Sequence, residues 1–133
     1  PVTVAVIDLD HFKSINDTYG HAVGDVVLRE AARRIDESSR EEHVVGRFGG
    51  EEFVMLLPFT TAQQALNAIE RVRKEMSREP IVVPDGPTLT LTMSAGIAPL
   101  EQEMPITVAI DHADKAMYRA KNLGRDRVEV FGV

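Results

Sequence analysis

His43-Val44-Val45-Gly46-Arg47-Phe48-Gly49-Gly50-Glu51-Glu52-Phe53-Val54-Met55-Leu56-Leu57 is the stretch that decides the fold. Two β-rich runs, His43 to Phe48 and Glu51 to Leu57, are joined by a Gly-Gly pair, and glycine accepts the positive φ of a tight turn without a steric penalty. The stretch reads as a hairpin that Pro58 ends. A hairpin pairs its strands antiparallel, so the sheet it joins cannot be wholly parallel.

Upstream, Pro1 to Asp8 is a β-branched apolar run and reads as a strand, central in its sheet. Asp10 to Gly20 reads as a short polar helix, with Asp10 as its N-cap and Gly20 as its terminator. Val23, Val27, Ala31 and Ile35 recur every four residues beside Leu28 and Ala32, which predicts an amphipathic helix running to about Ser38. Downstream, Thr61 and Gln64 form a capping box ahead of Ala62, Ala65, Ile69, Val72 and Met76 on one helical face. Pro80, Pro84, Asp85-Gly86 and Pro87 mark a loop with a short edge strand at Ile81 to Val83, and Leu89 to Ala98 alternates as a strand. Ala109, Ala113, Ala116 or Met117, and Ala120 mark a further helix closed by Gly124, with their stripe read as core packing. Arg127 to Phe131 is the last strand. A hairpin set among helical crossovers predicts an α/β (α+β) fold with a mixed, largely antiparallel central sheet flanked by helices. A split βαβ, ferredoxin-like palm is the simplest such arrangement.

The 133 residues are expected to form one domain, residues 1–133. The abrupt opening on a strand suggests a domain excised from a longer regulatory protein. At 44% hydrophobic and 27% charged the chain is too apolar to be disordered. Fifteen Lys and Arg against 21 Asp and Glu leave a net charge of −6, which argues against nucleic acid and against direct membrane contact. Any phosphate it binds must be met locally. The absence of cysteine excludes disulfides and thiolate metal sites, and no apolar run reaches the roughly 20 residues of a membrane span. A cytoplasmic location is the expectation.

Two acidic pairs stand out. Asp8-Leu9-Asp10 closes the first strand, where sheets commonly place ligands, and Glu51-Glu52 follows the glycines. Alone, Asp8 reads as a solvent-facing loop acid. Two adjacent acids at a tight turn repel each other without a packing benefit, which a cation explains. Hard oxygen ligands favour Mg²⁺, with Mn²⁺ as an alternative. Strand alternation sends Glu51 and Glu52 to opposite faces, so only one is expected to ligate.

Asp8-Leu9-Asp10-His11-Phe12-Lys13-Ser14-Ile15-Asn16-Asp17, Gly20-His21 with Gly24-Asp25, Arg47-Phe48-Gly49-Gly50-Glu51-Glu52-Phe53, and Ala113-Asp114-Lys115-Ala116-Met117-Tyr118 leading to Lys121-Asn122-Leu123-Gly124-Arg125 resemble the GGDEF-domain diguanylate cyclases. Four separated blocks in the right order carry the resemblance from Val4 to about Val130. It implies a palm related to the nucleotidyl cyclases and a bacterial signalling enzyme that condenses two GTP into cyclic di-GMP and two pyrophosphates. It also implies that Asp8, the Leu9 carbonyl and Glu51 hold Mg²⁺, that Glu51 is the base for the 3′-hydroxyl, and that Glu52 assists. Gly49 and Gly50 line the substrate. Asn16, His21 and Asp25 match the family's guanine side, where a carboxylate accepts from N1–H and the 2-amino group. Without the resemblance, Asn16 ends a helix, Asp25 suits a helix dipole and His21 is a surface histidine. The N–H groups of Phe12 and Lys13 cradle phosphate at a helix start, the Phe12 ring being equally a core side chain. Lys121 and Arg125 bind triphosphate, or else complement a helix C-terminus.

The family's active unit is a homodimer of half-sites, commonly under an upstream sensory or receiver domain. The helical segment with Asp-x-Leu-Thr that usually precedes the first strand does not occur in this sequence. An inhibitory Arg-x-x-Asp motif five residues before the Gly-Gly pair reads Arg40-Glu41-Glu42-His43 here, with histidine in place of the aspartate. Histidine lacks the aspartate's two acceptor oxygens, and Glu42 would face the other side of a strand, although in a flexible loop it could substitute, so weak or absent product inhibition is expected. The rival reading is a catalytically silent GTP-binding or partner-binding module, disfavoured because Asp8, Glu51 and Glu52 are all intact.

Overall fold

The computed structural model describes residues 1–133. The β-branched opening forms β1 (Val2–Leu9), buried along nearly its whole length, and α1 (Phe12–Tyr19) and α2 (His21–Ser38) follow it. The expected hairpin is β2 (Val44–Gly49) and β3 (Glu52–Pro58), and α3 (Ala62–Arg78) starts on the Thr61–Gln64 capping box, both halves of which form. Two short strands, β4 (Ile81–Val82) and β5 (Thr88–Leu89), precede β6 (Met93–Leu100), α4 (Ile106–Asn122) and β7 (Arg127–Val130).

The main sheet runs β2-β3-β1-β6-β7. β1 pairs antiparallel with both β3 and β6, and β2 pairs antiparallel with β3. Two split units therefore interlock, with β3 inserted between β2 and β1, and β1 between β3 and β6. That is the ferredoxin-like palm, extended by β7 lying parallel to β6 after the α4 crossover. Alternation along β1 sorts its side chains. Ala5, Ile7 and Leu9 join Val27, Ile35, Ile69 and Met76 in the larger core beneath α2 and α3, while Val4 and Val6 meet Ala109, Ala113 and Met117 of α4. Asp8 continues the α4 side, so its carboxylate is aimed at α4.

Two local expectations are corrected. The strand expected over Leu89 to Ala98 is broken at residues 90–92, because β5 leaves the main sheet to pair with β4 as a separate ribbon. Asp10 does not cap α1. His11 occupies the N-cap in left-handed conformation, φ 59°, with no side-chain bond, because the Asp10 carboxylate is held by β6 and the segment before β7. Gly20 does close α1, at φ 90°. No helix is long and apolar enough to cross a membrane.

Candidate active site

The ladder between β1 and β3 sets Asp8 opposite Glu52, so these two carboxylates share one face of the sheet. One step on, the Leu9 N–H donates to the Glu51 carbonyl at 3.3 Å, which pins the Gly-Gly-Glu turn to the carboxyl end of the central strand. Arg47 Nε closes the same turn on the Gly50 carbonyl at 2.9 Å. Glu51 lies in the turn rather than in a strand, so the alternation argument does not govern it. Gly49 and Gly50 both have positive φ, 127° and 51°, as the turn requires.

Asp8 is 7% exposed. Burial pushes its carboxyl above the usual range and outweighs the pull of the Lys121 ammonium, while Glu51 and Asp10 add repulsion. Lys121 Nζ lies 3.0 Å from Asp8 Oδ1, yet this ion pair is not directed as a hydrogen bond, and the buried oxygen has no donor. Burial also raises the Glu52 carboxyl, with Asp114, Asp8 and Glu51 adding negative charge around it. No three carboxylate or imidazole groups converge on one point, so a closed protein cage is absent. The orphaned Asp8 oxygen and the surplus of hard oxygen donors fit Mg²⁺ or Mn²⁺, which characteristically take one or two carboxylates and complete their shell with phosphate and water.

Around this strand end, α1 starts with no side-chain cap, leaving its first-turn N–H groups open. The Phe12 ring is buried in the core, 6% exposed, whereas Lys13 is exposed and paired loosely with Asp17 at 3.8 Å. Asn16 faces Gly24 of α2 so closely that a Cβ there would lie 1.8 Å from Asn16 Oδ1. His21 and Asp25, on the same first turns of α2, are exposed. Lys121 reaches Asp8 from the last turn of α4, and Arg125 is exposed in the turn that follows.

Residues 1–127 match the family described as "Diguanylate cyclase, GGDEF domain". The chain belongs to the GGDEF family. The probable diguanylate cyclase DgcC of Escherichia coli is 42% identical over 129 residues, 96% of this chain and 34% of that protein. The crystal structure of the GGDEF domain of DgcB from Caulobacter crescentus in complex with c-di-GMP superposes with a TM-score of 0.94 at 34% identity, covering 99% of this chain and 78% of that one. Diguanylate cyclase SiaD of Pseudomonas aeruginosa, in complex with its activator SiaC, gives a TM-score of 0.92 at 38% identity over 97% of this chain and 49% of that one. This GGDEF domain spans about a third of the length of the first curated relatives it matches.

In this GGDEF domain Arg40 to His43 form a turn, and the strand alternation expected to turn Glu42 away does not apply. Arg40, Glu42, His43, Phe59 and Arg71 line one cleft. His43 Nδ1 accepts the Arg40 backbone N–H at 3.1 Å, and the His43 backbone N–H donates to the Arg40 carbonyl at 3.0 Å, so the ring's Nδ1 acceptor is already used. Burial lowers the His43 pKa against the opposing pull of the Glu42 carboxylate, with Arg40 and Arg71 acting in the same direction as burial, which favours the neutral ring. Arg71 was not recognisable from local pattern as lining the Arg40 cleft, and the roles of Asp10 and Gly24 were not legible either, because Asp10 acts on partners far along the chain and Gly24 through a fit between helices.

Proposed function

We propose that this GGDEF domain is a diguanylate cyclase that joins two GTP into cyclic di-GMP and two pyrophosphates. What supports the reading is the orphaned, buried Asp8 oxygen at the strand end to which the Glu51 turn is pinned. Asp8, the Leu9 carbonyl and Glu51 would hold the divalent ion, whose contribution when bound is to neutralise charge developing on the α-phosphate. Glu51 accepts the proton of the 3′-hydroxyl, and Glu52 sustains the negative field beside it. Lys121, 3.0 Å from Asp8, would bind the triphosphate together with Arg125 and the Phe12 and Lys13 N–H groups. The 3′-oxygen of one GTP bonds to the α-phosphorus of the other, the α–β bridge breaks, and pyrophosphate leaves. Repetition with the roles exchanged closes the ring.

One site cannot present both the hydroxyl and the phosphate of a two-fold product, so two protomers meet face to face. Relatives about three times as long support an attached sensory or receiver region as the control element. Incubation with GTP and Mg²⁺, followed by chromatography, is expected to yield cyclic di-GMP. GTP binding without product would make the domain a silent sensor instead.

Base choice follows from the α1–α2 corner. Adenine lacks both donors that Asp25 would receive, so GTP turnover is expected to exceed ATP turnover by about 100-fold or more. Comparable rates would remove Asn16 and Asp25 from base recognition.

The Arg40 cleft gives a separate expectation. With His43 Nδ1 occupied, cyclic di-GMP binds this cleft weakly, and His43→Asp tightens it by about tenfold, the worth of one charge-assisted hydrogen bond. Titration calorimetry on the nucleotide-free domain measures it. Tight binding by the unmodified chain that Glu42→Gln abolishes would show that Glu42 supplies the missing acceptor.

A further inference from the structure

Gly124, Arg125 and Asp126 have consecutive positive φ values of 123°, 64° and 46°, and two of the three are not glycine. Such a backbone persists only where surrounding contacts over-determine it. Two clamps meet there. On the inner side Asp10, 3% exposed, accepts the Asp126 N–H at 3.0 Å on the oxygen that also receives Thr92 Oγ1 at 2.7 Å, while its other oxygen receives Ser94 Oγ at 2.6 Å. On the outer side Arg73 of α3 donates to Asp126 Oδ1 at 2.9 Å and is itself held by a two-pronged bond to Glu70, 3.0 Å on each prong. The turn lies between Lys121, which reaches Asp8, and β7.

We propose that Asp10 and Arg73 form a two-sided latch on the strained turn 124–126, and that the latch positions Lys121 and Arg125 for the nucleotide's triphosphate. This rests on the nucleotide reading above. Asp10, two residues beyond Asp8, thus serves as a positioning residue rather than a ligand. It ties the end of β1 to the start of β6 and to the turn, so the carboxylate side and the cationic side of the site hold a fixed separation. Arg73 carries the same restraint to the surface of α3, on the opposite side of the sheet from α4.

The test compares Arg73→Ala, Arg73→Lys and Asp10→Asn with the unmodified chain, using α,β-methylene GTP and guanosine as probes in Mg²⁺ and amide hydrogen exchange at Asp126. Arg73→Ala is expected to weaken the triphosphate by about tenfold or more while guanosine stays within about twofold, because only the phosphate contacts lose their geometry. Arg73→Lys recovers most of that loss. Asp126 exchange speeds by about tenfold in both Arg73→Ala and Asp10→Asn, with the rest of the core unchanged. A parallel loss of guanosine and triphosphate binding would overturn the latch, as would unchanged triphosphate affinity in a variant whose Asp126 exchange has accelerated. Binding of α,β-methylene GTP that obeys this pattern, with no cyclic di-GMP formed from GTP itself in a parallel incubation, would sink the cyclase reading and leave the latch standing. No triphosphate binding by the unmodified chain would overturn both.

Discussion

Asp8→Asn and Glu51→Gln are each expected to lower cyclic di-GMP formation by about 1,000-fold or more, the scale on which losing charge neutralisation at a reacting phosphate acts. Neither change should cost the fold. The Asp8 carboxyl is raised by burial, so the folded chain binds that proton more tightly than the unfolded one. Stability therefore falls as pH climbs from the ordinary aspartate value through the folded one. Asp8→Asn removes that loss. Lys121 loses its partner, but its side chain is 21% exposed and can turn to water. Without nucleotide, the melting temperature of Asp8→Asn at pH 7 should equal or exceed that of the unmodified chain, and the difference should vanish below about pH 3. Product chromatography and circular-dichroism melts on the same preparations decide it. Turnover within tenfold of the unmodified chain would remove either residue from the ion site. A fall of several degrees at pH 7 would make Asp8 a structural carboxylate.

Why the sequence singles out Asp8 and Glu51 as candidates but misplaces Asp10 as a helix cap is a matter of range. The hairpin, the capping box and the Gly20 terminator are written in residues at most a few positions apart, so local pattern reads them directly. The strand that carries Asp8 is legible from its β-branched run, and the family blocks supply the rest. Asp10 has the same local appearance as an N-cap, and only its partners separate the two roles. Those partners, Thr92, Ser94 and Asp126, lie 82, 84 and 116 residues away. The break at residues 90–92 was hidden for a similar reason, since Leu91 is buried and Thr92 faces Asp10, so alternation continues through a segment that has left the ladder. Glu42 shows the reverse case, because residues 40–43 form a turn, and of the two placements open to it, strand or loop, the loop is the one the chain adopts.

Gly96 marks another limit of local reading, because nothing around it in sequence says what crosses it. It lies in β6 beneath α4, and a Cβ built there would stand 2.0 Å from the Ala113 carbonyl oxygen, 2.2 Å from the Met117 nitrogen and 2.8 Å from the Ala116 carbonyl carbon. All three are helix backbone, so no side chain can swing aside. Ordinary van der Waals contact begins near 3.4 Å, and α4 would have to lift by about 1.4 Å. Lifting α4 opens its seam of Ala109, Ala113 and Met117 on Val4 and Val6, and withdraws Lys121 from Asp8. Gly96→Ala is expected to cost at least about 3 kcal/mol, the upper end of overpacking, out of a total of about 5–15 kcal/mol for a domain. That is a fall of roughly 10 °C in melting temperature, and Gly96→Val should not fold. Gly46 supplies the control, since it also lies in a strand but a Cβ there meets nothing within 4 Å. Gly46→Ala should stay within about 1 kcal/mol of the unmodified chain. Urea melts on the two alanine variants measure the contrast. Equal midpoints would mean that α4 rides on β6 with slack the backbone distances deny, and that the alanine stripe of α4 does not fix where Lys121 ends.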